Sequence, residues 1–270
     1  MAGALGLSAP APPVHREIAT PAFVLRTRPY GESDRIVTLL TEQHGKVTGI
    51  AKGAKNSRRR FAGTLEPFVR IRAVFRQRPA SDLVFLLRCE CLGILRAFTR
   101  DLDRYATGSY VLELTDRMVF GREPGREVYR LVEEALTLLD AGAPADPVLR
   151  AFELHLLAAS GYAPALGQCR GCGRATDDGV LFFLAVERGG LLCRTCVRPE
   201  EPLWPVSPAA ARALARLAAS PLAAAAAVDP STLVEAAGIA EQLIAAVTAG
   251  PLRARAFMLR ARVDSPGGVR

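Results

Sequence analysis

Residues 65–77, LEPFVRIRAVFRQ, carry the clearest strand pattern in the chain. Apolar and cationic side chains alternate along this stretch, and a period of two predicts a half-buried strand. The apolar face holds Val69, Ile71, Ala73 and Phe75, and the opposite face holds Arg70, Arg72 and Arg76. Turn residues separate the stretch from four similar runs at 20–28, 34–41, 45–51 and 83–90. Five such strands within about 70 residues predict a small β-barrel of the OB-fold type.

The pattern changes after Arg96 to the 3.6-residue period of amphipathic helices. Predicted helices cover 102–120, 126–139, 147–160 and 252–263, and the third of these starts with Asp146 as its cap and Pro147 as its first residue. Ser207-Pro208 and Asp229-Pro230 open two more helices in the same way. The predicted fold class is therefore α+β, with an N-terminal five-stranded OB-fold barrel over 20–96. An all-α domain over 97–270 follows and carries a four-cysteine zinc ribbon at 169–196. Residues 1–19 are rich in Ala and Pro, and we expect them to form a disordered extension.

The positive charge is confined to the first third of the chain. Residues 1–100 hold 17 Lys and Arg against 7 Asp and Glu, a balance of +10, whereas residues 101–270 hold 18 against 20, a balance of −2. Such an excess is expected of a domain that meets a polyanion. No apolar run reaches the ~20 residues that a bilayer span needs, and the N-terminus lacks the pattern of a signal peptide. We therefore expect a cytoplasmic protein.

Two CxxC pairs, separated by 20 residues, consist of Cys169, Cys172, Cys193 and Cys196. Four thiolates can complete the tetrahedron of a zinc ion, with Zn–S bonds of about 2.3 Å. Two disulfides are the alternative, and they conflict with the absence of a secretion signal. We predict one structural Zn²⁺ per chain, because four cysteines leave no open position for catalysis. Two further cysteines, Cys89 and Cys91, share one face of the fifth strand, and we expect both to be buried rather than to bind a second metal.

Residues 46–61, KVTGIAKGAKNSRRRF, contain every lysine of the chain and no acidic residue. Gly53 lets backbone amides approach a phosphate, and flexible cationic side chains neutralise its charge. We predict nucleic-acid contacts by Lys46, Lys52, Lys55, Arg58, Arg59 and Arg60, with the surface widened by Arg35, Arg70, Arg72 and Arg76. Tyr30 and Phe61 are candidate stacking platforms for unpaired bases. The alternative is a solvated basic loop, or a surface that contacts an acidic protein.

Several motifs resemble the RecO family of bacterial DNA repair proteins. These are AFVL at 22–25, RPYGESD at 28–34, TEQHGK at 41–46, GIAKGAK at 49–55 and LEPF at 65–68. The resemblance runs from about residue 20 to about residue 263 and includes the order of barrel, helical domain and four-cysteine site. It implies a recombination mediator, associated with the nucleoid, that binds single- and double-stranded DNA and anneals complementary strands without ATP. It also implies partnership with RecR and loading of the recombinase RecA on DNA covered by single-strand-binding protein.

The last predicted helix is a candidate surface for a protein partner. A cationic rim around an apolar groove would suit the acidic, aromatic-ended tail of single-strand-binding protein. The candidate partner-binding residues are Arg253, Arg255, Phe257 and Arg260. The alternative is a helix whose arginines are simply solvated.

The residues favour a binding protein over an enzyme. The sequence has no Gly-x4-Gly-Lys-Ser/Thr phosphate loop, so we expect no nucleotide cofactor. His15, His44 and His155 fall in the tail, a turn and a helical pattern, and the acidic pairs at 133–134 and 177–178 are expected on a solvated helix face and in a loop. A zinc-dependent nuclease or deaminase would need a non-cysteine ligand and an open site. Within binding proteins, the alternative is an RNA-binding factor built from an OB-fold and a zinc ribbon.

Overall fold

A computed structural model describes residues 17–77, 81–121, 125–176, 179–198, 200, 202–228 and 230–264. The N-terminal half forms five strands: β1 (Glu17–Tyr30), β2 (Asp34–Thr41), β3 (Gly45–Ala51), β4 (Val69–Arg76) and β5 (Leu83–Ile94). They close into a barrel in the order β1-β2-β3-β5-β4, in which β3 and β5 run parallel and the other neighbours run antiparallel. The predicted five-stranded OB-fold barrel is confirmed.

Two strands, β1 and β4, begin at a residue other than the predicted one. Strand β1 begins at Glu17, so residues 17–19 belong to the barrel instead of a disordered extension. They pair with the end of β4, from Arg76 to Val74, which would otherwise present an unpaired edge. Strand β4 begins at Val69 instead of residue 65, because Phe68 has a positive φ of 64° that ends any extended run. Residues 1–16, which include His15, lie outside the described residues, and so do Asp177, Asp178 and Asp229.

The helical domain contains α1 (Leu102–Met118), α2 (Arg126–Asp140), α3 (Ala145–Ala159), α4 (Pro208–Ala219), α5 (Pro230–Val247) and α6 (Arg253–Asp264). Helix α4 starts as predicted, with the Ser207 hydroxyl accepting the Ala210 N–H at 3.1 Å. The predicted start of α3 is wrong by two residues, because Pro144, and not Asp146, occupies the N-cap position. Asp146 instead lies in the first turn, where its carboxylate faces the positive end of the helix dipole.

A small sheet precedes α4. Its strands are β6 (Phe182–Ala185), β7 (Gly190–Cys193) and β8 (Trp204–Val206), in the order β7-β6-β8. One of the four clustered cysteines, Cys193, ends strand β7. Strand β8 was not predicted, because three residues are too few to show a period of two. None of the helices in the described ranges combines the length and the apolar character that a bilayer crossing requires.

The apolar core of the helical domain extends onto the outer face of the barrel, and the barrel interior holds a second apolar core. On β1, Ala22 and Val24 point into the barrel, whereas Phe23 points outward and its ring lies 5.4 Å from that of Tyr129 on α2. Phe68, just before β4, stacks on Phe98 at 4.5 Å, and both rings lie against Gly108 of α1. A Cβ atom at Gly108 would lie 2.6–2.8 Å from atoms of these rings. The absence of a side chain at position 108 therefore lets α1 approach the barrel.

Candidate nucleic-acid interface and metal centre

The four predicted metal ligands come together in the structure. The Sγ atoms of Cys169, Cys172, Cys193 and Cys196 all lie within 4.8 Å of one another. Cys172 Sγ and Cys193 Sγ are 3.7 Å apart, close to the about 3.8 Å between sulfurs of a tetrahedral site with 2.3 Å metal–sulfur bonds. The cysteines are unbonded to one another, which contradicts the two-disulfide alternative. These four cysteines are thus positioned to bind a metal ion.

Backbone geometry builds this site around Cys169 and Cys196. The N–H groups of Gly171 and Cys193 donate to Cys169 Sγ at 3.4 and 3.3 Å. A Cβ atom at Gly171 would lie 2.8 Å from Cys196 Cβ and 2.9 Å from its Sγ, so any side chain there would displace a ligand. Hydrogen bonds from the Thr195 hydroxyl, 3.1 Å from Cys193 Sγ, and from the three neighbouring thiols lower the pKa of Cys193 to about 6. A stabilised thiolate is the form that binds a soft cation.

Cys89 and Cys91 differ in exposure, although both were predicted to be buried. Cys89 is buried in the barrel, and Cys91 is exposed. Beyond Leu86 the strand pairs with β4 alone, and a register irregularity lies beside the pairing of Cys91 with Ile71. The second half of β5 is therefore uncovered on one side, which opens the position of Cys91 to solvent.

The loop after β3 presents five cationic side chains to solvent, and we call it the basic loop: Lys52, Lys55, Arg58, Arg59 and Arg60. Among the described residues, no carboxylate lies within salt-bridge distance of any of them. The loop has a defined conformation, because the N–H of Gly53, at φ 64°, donates to Asp34 Oδ1 at 2.8 Å. Its far end is fixed by the Arg60 carbonyl, which accepts the Cys89 N–H at 2.8 Å. The cations are therefore carried by a backbone of fixed conformation.

The two candidate stacking residues have opposite environments. Phe61 is only 3% exposed and closes the apolar core of the barrel, so its predicted role as a stacking platform is wrong. The Arg60 guanidinium covers its ring at 5.2 Å and donates to the Lys52 carbonyl at 2.8 Å, so Arg60 is partly committed to the loop itself. Tyr30 is 52% exposed at the end of β1, beside the Asp34 turn that contacts the basic loop. Tyr30 is thus accessible to a base.

Lys46 lies at the opposite end of β3 from the basic loop and is already engaged. Its Nζ donates to the Asp116 carbonyl at 2.6 Å and forms an ion pair with the Asp116 carboxylate at 3.3 Å. These contacts join the barrel to α1, and they remove Lys46 from the set of free cations that the sequence predicted. Arg35 pairs with Glu66 at 3.1 Å.

The arginines of β4 are also mostly paired. Arg70 contacts Glu133 of α2 at 2.6 Å, so this acidic pair is not a purely solvated face, and Arg76 contacts Glu17 at 3.0 Å. Arg72 is exposed and has no salt-bridge partner among the described residues. The carboxylates that neutralise Arg35, Arg70 and Arg76 come from other elements, so the alternation along the strand could not reveal them.

Two cations on β1, Arg26 and Arg28, were not included in the predicted surface. The register shifts between Val24 and Arg26, so Val24 faces the barrel interior while Arg26 and Arg28 face outward. Arg26 lies opposite Thr38, and Arg28 opposite Ile36. Simple alternation places all three β1 residues on one face, and only a signal for the bulge would have revealed the change.

The last helix contributes to a cavity of about 460 Å³ between α5, α6 and α1. Its walls include Ile244, Leu252 and Leu259. Of the four predicted partner-binding residues, only Arg255 is among the described residues that line this cavity, and it forms an ion pair with Glu241. The side chain of Phe257 instead lies edge-on to Tyr105, with ring centroids 6.4 Å apart.

A buried charge cluster lies next to this cavity. Glu153 is almost fully buried and accepts hydrogen bonds from the Tyr110 hydroxyl, at 2.5 Å, and from Arg150. Burial raises the pKa of Glu153 and raises that of Tyr110 well above its ordinary value.

Of the three predicted non-catalytic histidines, His155 has a structural contact, with Nε2 3.1 Å from the Leu217 carbonyl.

Comparisons with known proteins agree with this architecture. A family model described as the N-terminal domain of recombination protein O matches residues 16–95, and a model of its C-terminal domain matches residues 99–256. The chain belongs to the RecO family. The DNA repair protein RecO of Anaeromyxobacter sp. (strain Fw109-5) is 45% identical over 215 residues, which cover 78% of this chain and 83% of that protein.

Relatives from other bacteria extend the match over most of the molecule. The RecO protein of Geobacter metallireducens is 36% identical over 250 residues, which cover 91% of this chain and 98% of that protein. The RecO protein of Bacillus pumilus is 34% identical over 197 residues, which cover 73% and 75% of the two chains. The two RecO domain models divide this chain where the barrel ends and the helices begin. A role in DNA repair and recombination follows from this membership.

Proposed function

We propose that this protein is a recombination mediator that anneals complementary DNA strands without ATP and helps to load RecA on DNA covered by single-strand-binding protein. The observation that carries the proposal is the basic loop, five exposed cations on a closed OB-type barrel. Barrels of this type bind oligonucleotides with neighbouring strands and loops. The same surface would contact single- and double-stranded DNA, because phosphates are common to both.

The proposed mechanism of annealing is electrostatic. The basic loop neutralises phosphates of two strands and releases their counterions, which lowers the repulsion that slows pairing. Base edges stay free to test complementarity, since contacts to phosphate carry no sequence information. The protein would then act as a surface that holds two strands close together, and it would show weak sequence preference and strong salt dependence.

We propose that the four-cysteine site holds one Zn²⁺ with a structural role. The site fits a soft cation by its thiolate donors, its sulfur–sulfur spacing and the N–H groups that stabilise Cys169. A bound zinc ion would supply cross-links between the segment at Cys169 and the β6–β7 hairpin. Metal analysis of the purified protein should give about one zinc per chain, and a metal-free preparation with unchanged melting would contradict this role.

Protein partners are proposed for the helical domain. RecR and the acidic tail of single-strand-binding protein are the candidates, and the cavity beside Arg255 offers apolar walls with a cation at the rim. The Arg255→Glu variant should weaken binding of a fluorescent tail peptide. The Arg253→Ala/Arg260→Ala variant, altered outside the cavity, should bind it normally. Normal binding by Arg255→Glu would remove the cavity from the proposal.

Annealing of two fluorescently labelled complementary oligonucleotides, without ATP, tests the proposed function. The triple variant with Arg58, Arg59 and Arg60 changed to Ala should anneal severalfold more slowly. A matched variant removes three exposed arginines of the helical domain instead: Arg130, Arg212 and Arg216. Equal rates for both variants would refute the role of the basic loop. Matched DNA and RNA strands test the alternative of an RNA-binding factor, which predicts tighter binding to RNA.

A further inference from the structure

Among the described residues, Phe120 has the most exposed aromatic side chain. It follows the end of α1, and 75% of its surface is accessible to solvent. An exposed aromatic ring is a surface on which a nucleobase can stack.

The Phe120 ring is held in place by contacts of its own segment. The Lys46 N–H donates to the Gly121 carbonyl at 3.1 Å, which fixes the chain next to the ring. Lys46 Nζ lies 5.4 Å from the ring centroid and is itself fixed by Asp116. A cation therefore lies over the ring, and most of the Phe120 side chain remains accessible to solvent.

Two exposed arginines belong to β1 and to α2, the helix that follows Phe120 in the chain. Arg26, on β1, shares Asp116 with Lys46 at 3.4 Å and is 59% exposed. Arg126, at the start of α2, pairs with Glu42 at 3.6 Å and is 57% exposed. Both arginines keep more than half of the side chain exposed, and ion pairs at a surface are weak, so a phosphate can compete with the carboxylate for each of them. An exposed ring with such cationic side chains is the arrangement that binds single strands, in which bases stack and phosphates are neutralised.

The strand register connects this ring to the basic loop. Arg26 lies opposite Thr38, which pairs with Thr48, and Arg28 lies opposite Ile36, which pairs with Ile50. These two arginines thus stand along the outer face between Lys46 at one end of β3 and Lys52 just beyond the other. That distance is about 20 Å for six strand residues. At about 3.4 Å per nucleotide of a stacked strand it corresponds to about six nucleotides, within the roughly 4–16 that an OB-fold covers.

We infer that Phe120 is a stacking platform for an unpaired nucleobase, at the far end of a single strand that runs from the basic loop past Arg28 and Arg26. The inference rests on the proposed function and names a second contact on the same barrel. A protein partner is the competing occupant of an exposed phenylalanine. The cations between the two ends of β3 favour a nucleic acid.

The test compares two single-stranded oligonucleotides of about 16 nucleotides, one of deoxythymidine and one with the same backbone but abasic sites. The Phe120→Ala variant should bind the thymidine strand roughly 5- to 150-fold more weakly, which corresponds to one stacked base. It should bind the abasic strand as the parent protein does. The Tyr162→Ala variant, which removes an exposed aromatic ring from the helical domain, should match the parent protein on both strands.

Two further variants separate stacking from a structural effect. Phe120→Leu keeps an apolar side chain and should lose the thymidine preference, whereas Phe120→Trp should keep it and show fluorescence quenching by thymidine DNA alone. Equal weakening on both strands, or full binding by Phe120→Ala, would overturn the inference. If the Arg58/Arg59/Arg60 variant then still loses DNA binding, the proposed function stands without the platform. If neither variant loses binding, both proposals fail.

Discussion

Removal of Arg58 and Arg59 should change how strongly salt weakens DNA binding. Both side chains are exposed and have no described carboxylate partner, so each is available to a phosphate. Arg60 is a weaker candidate, because its guanidinium already covers Phe61 and donates to the Lys52 carbonyl. The Arg58→Ala/Arg59→Ala variant is therefore the cleanest perturbation of the basic loop.

The magnitude follows from counterion release. Each phosphate contact on a single strand contributes about 0.7 to the slope of log affinity against log salt, so two lost contacts flatten the slope by about 1.4. Between about 50 and 200 mM salt, the parent protein should then lose roughly sevenfold more affinity than the variant loses. Fluorescence anisotropy of a labelled single strand, measured across this salt range, gives both slopes.

The control variant removes two exposed arginines of α4, Arg212 and Arg216, and has the same net charge as the test variant. Its salt slope should equal that of the parent protein. A slope change below about 0.5 in the test variant would refute phosphate contacts at the loop. The same slope change in the control variant would show that total charge, and not the position of the arginines, sets the salt dependence.

Three other perturbations follow from packing. Gly171→Ala should weaken metal retention about 10- to 100-fold, because the added Cβ atom would collide with Cys196. Zinc transfer to a chelating dye measures this retention. Gly167→Ala has open space around the added atom and should retain the metal as the parent protein does. Gly108→Ala should destabilise the protein by about 1–3 kcal/mol in urea unfolding, whereas Gly238→Ala in α5 should not. Glu153→Ala should cost about 3–5 kcal/mol, since it leaves a buried arginine unpaired; a loss below about 1 kcal/mol would show that the cluster is not stabilising.

The predictable features are those that depend on residues close together in the sequence. Alternation placed all five strands, and the CxxC spacing identified four ligands that the structure brings within 4.8 Å of one another. The basic loop was also predictable, since its cations lie within nine residues of one another and no acidic residue stands between them. These signals depend on neighbouring residues, which a linear sequence displays directly.

The failures concern contacts between distant segments. Lys46 was predicted to be free because Asp116 lies 70 residues away in the chain, and Phe61 was predicted to be exposed although it closes the barrel core. The bulge after Val24 places Val24 inside the barrel and Arg26 outside it, and no turn residue indicates the bulge. Tertiary packing decides such cases, and a single sequence does not display it.

The shared core around Phe68 and Gly108 has a consequence for deletion mapping. A cut between the barrel and α1 would leave Phe23, Leu40 and Phe68 without the helical residues that cover them. A fragment ending at residue 95 would expose these side chains to water and tend to aggregate. Failure of such a fragment to bind DNA would then report the loss of its scaffold and would give no information on which half holds the strand. Point variants on the intact chain are the informative route for this molecule.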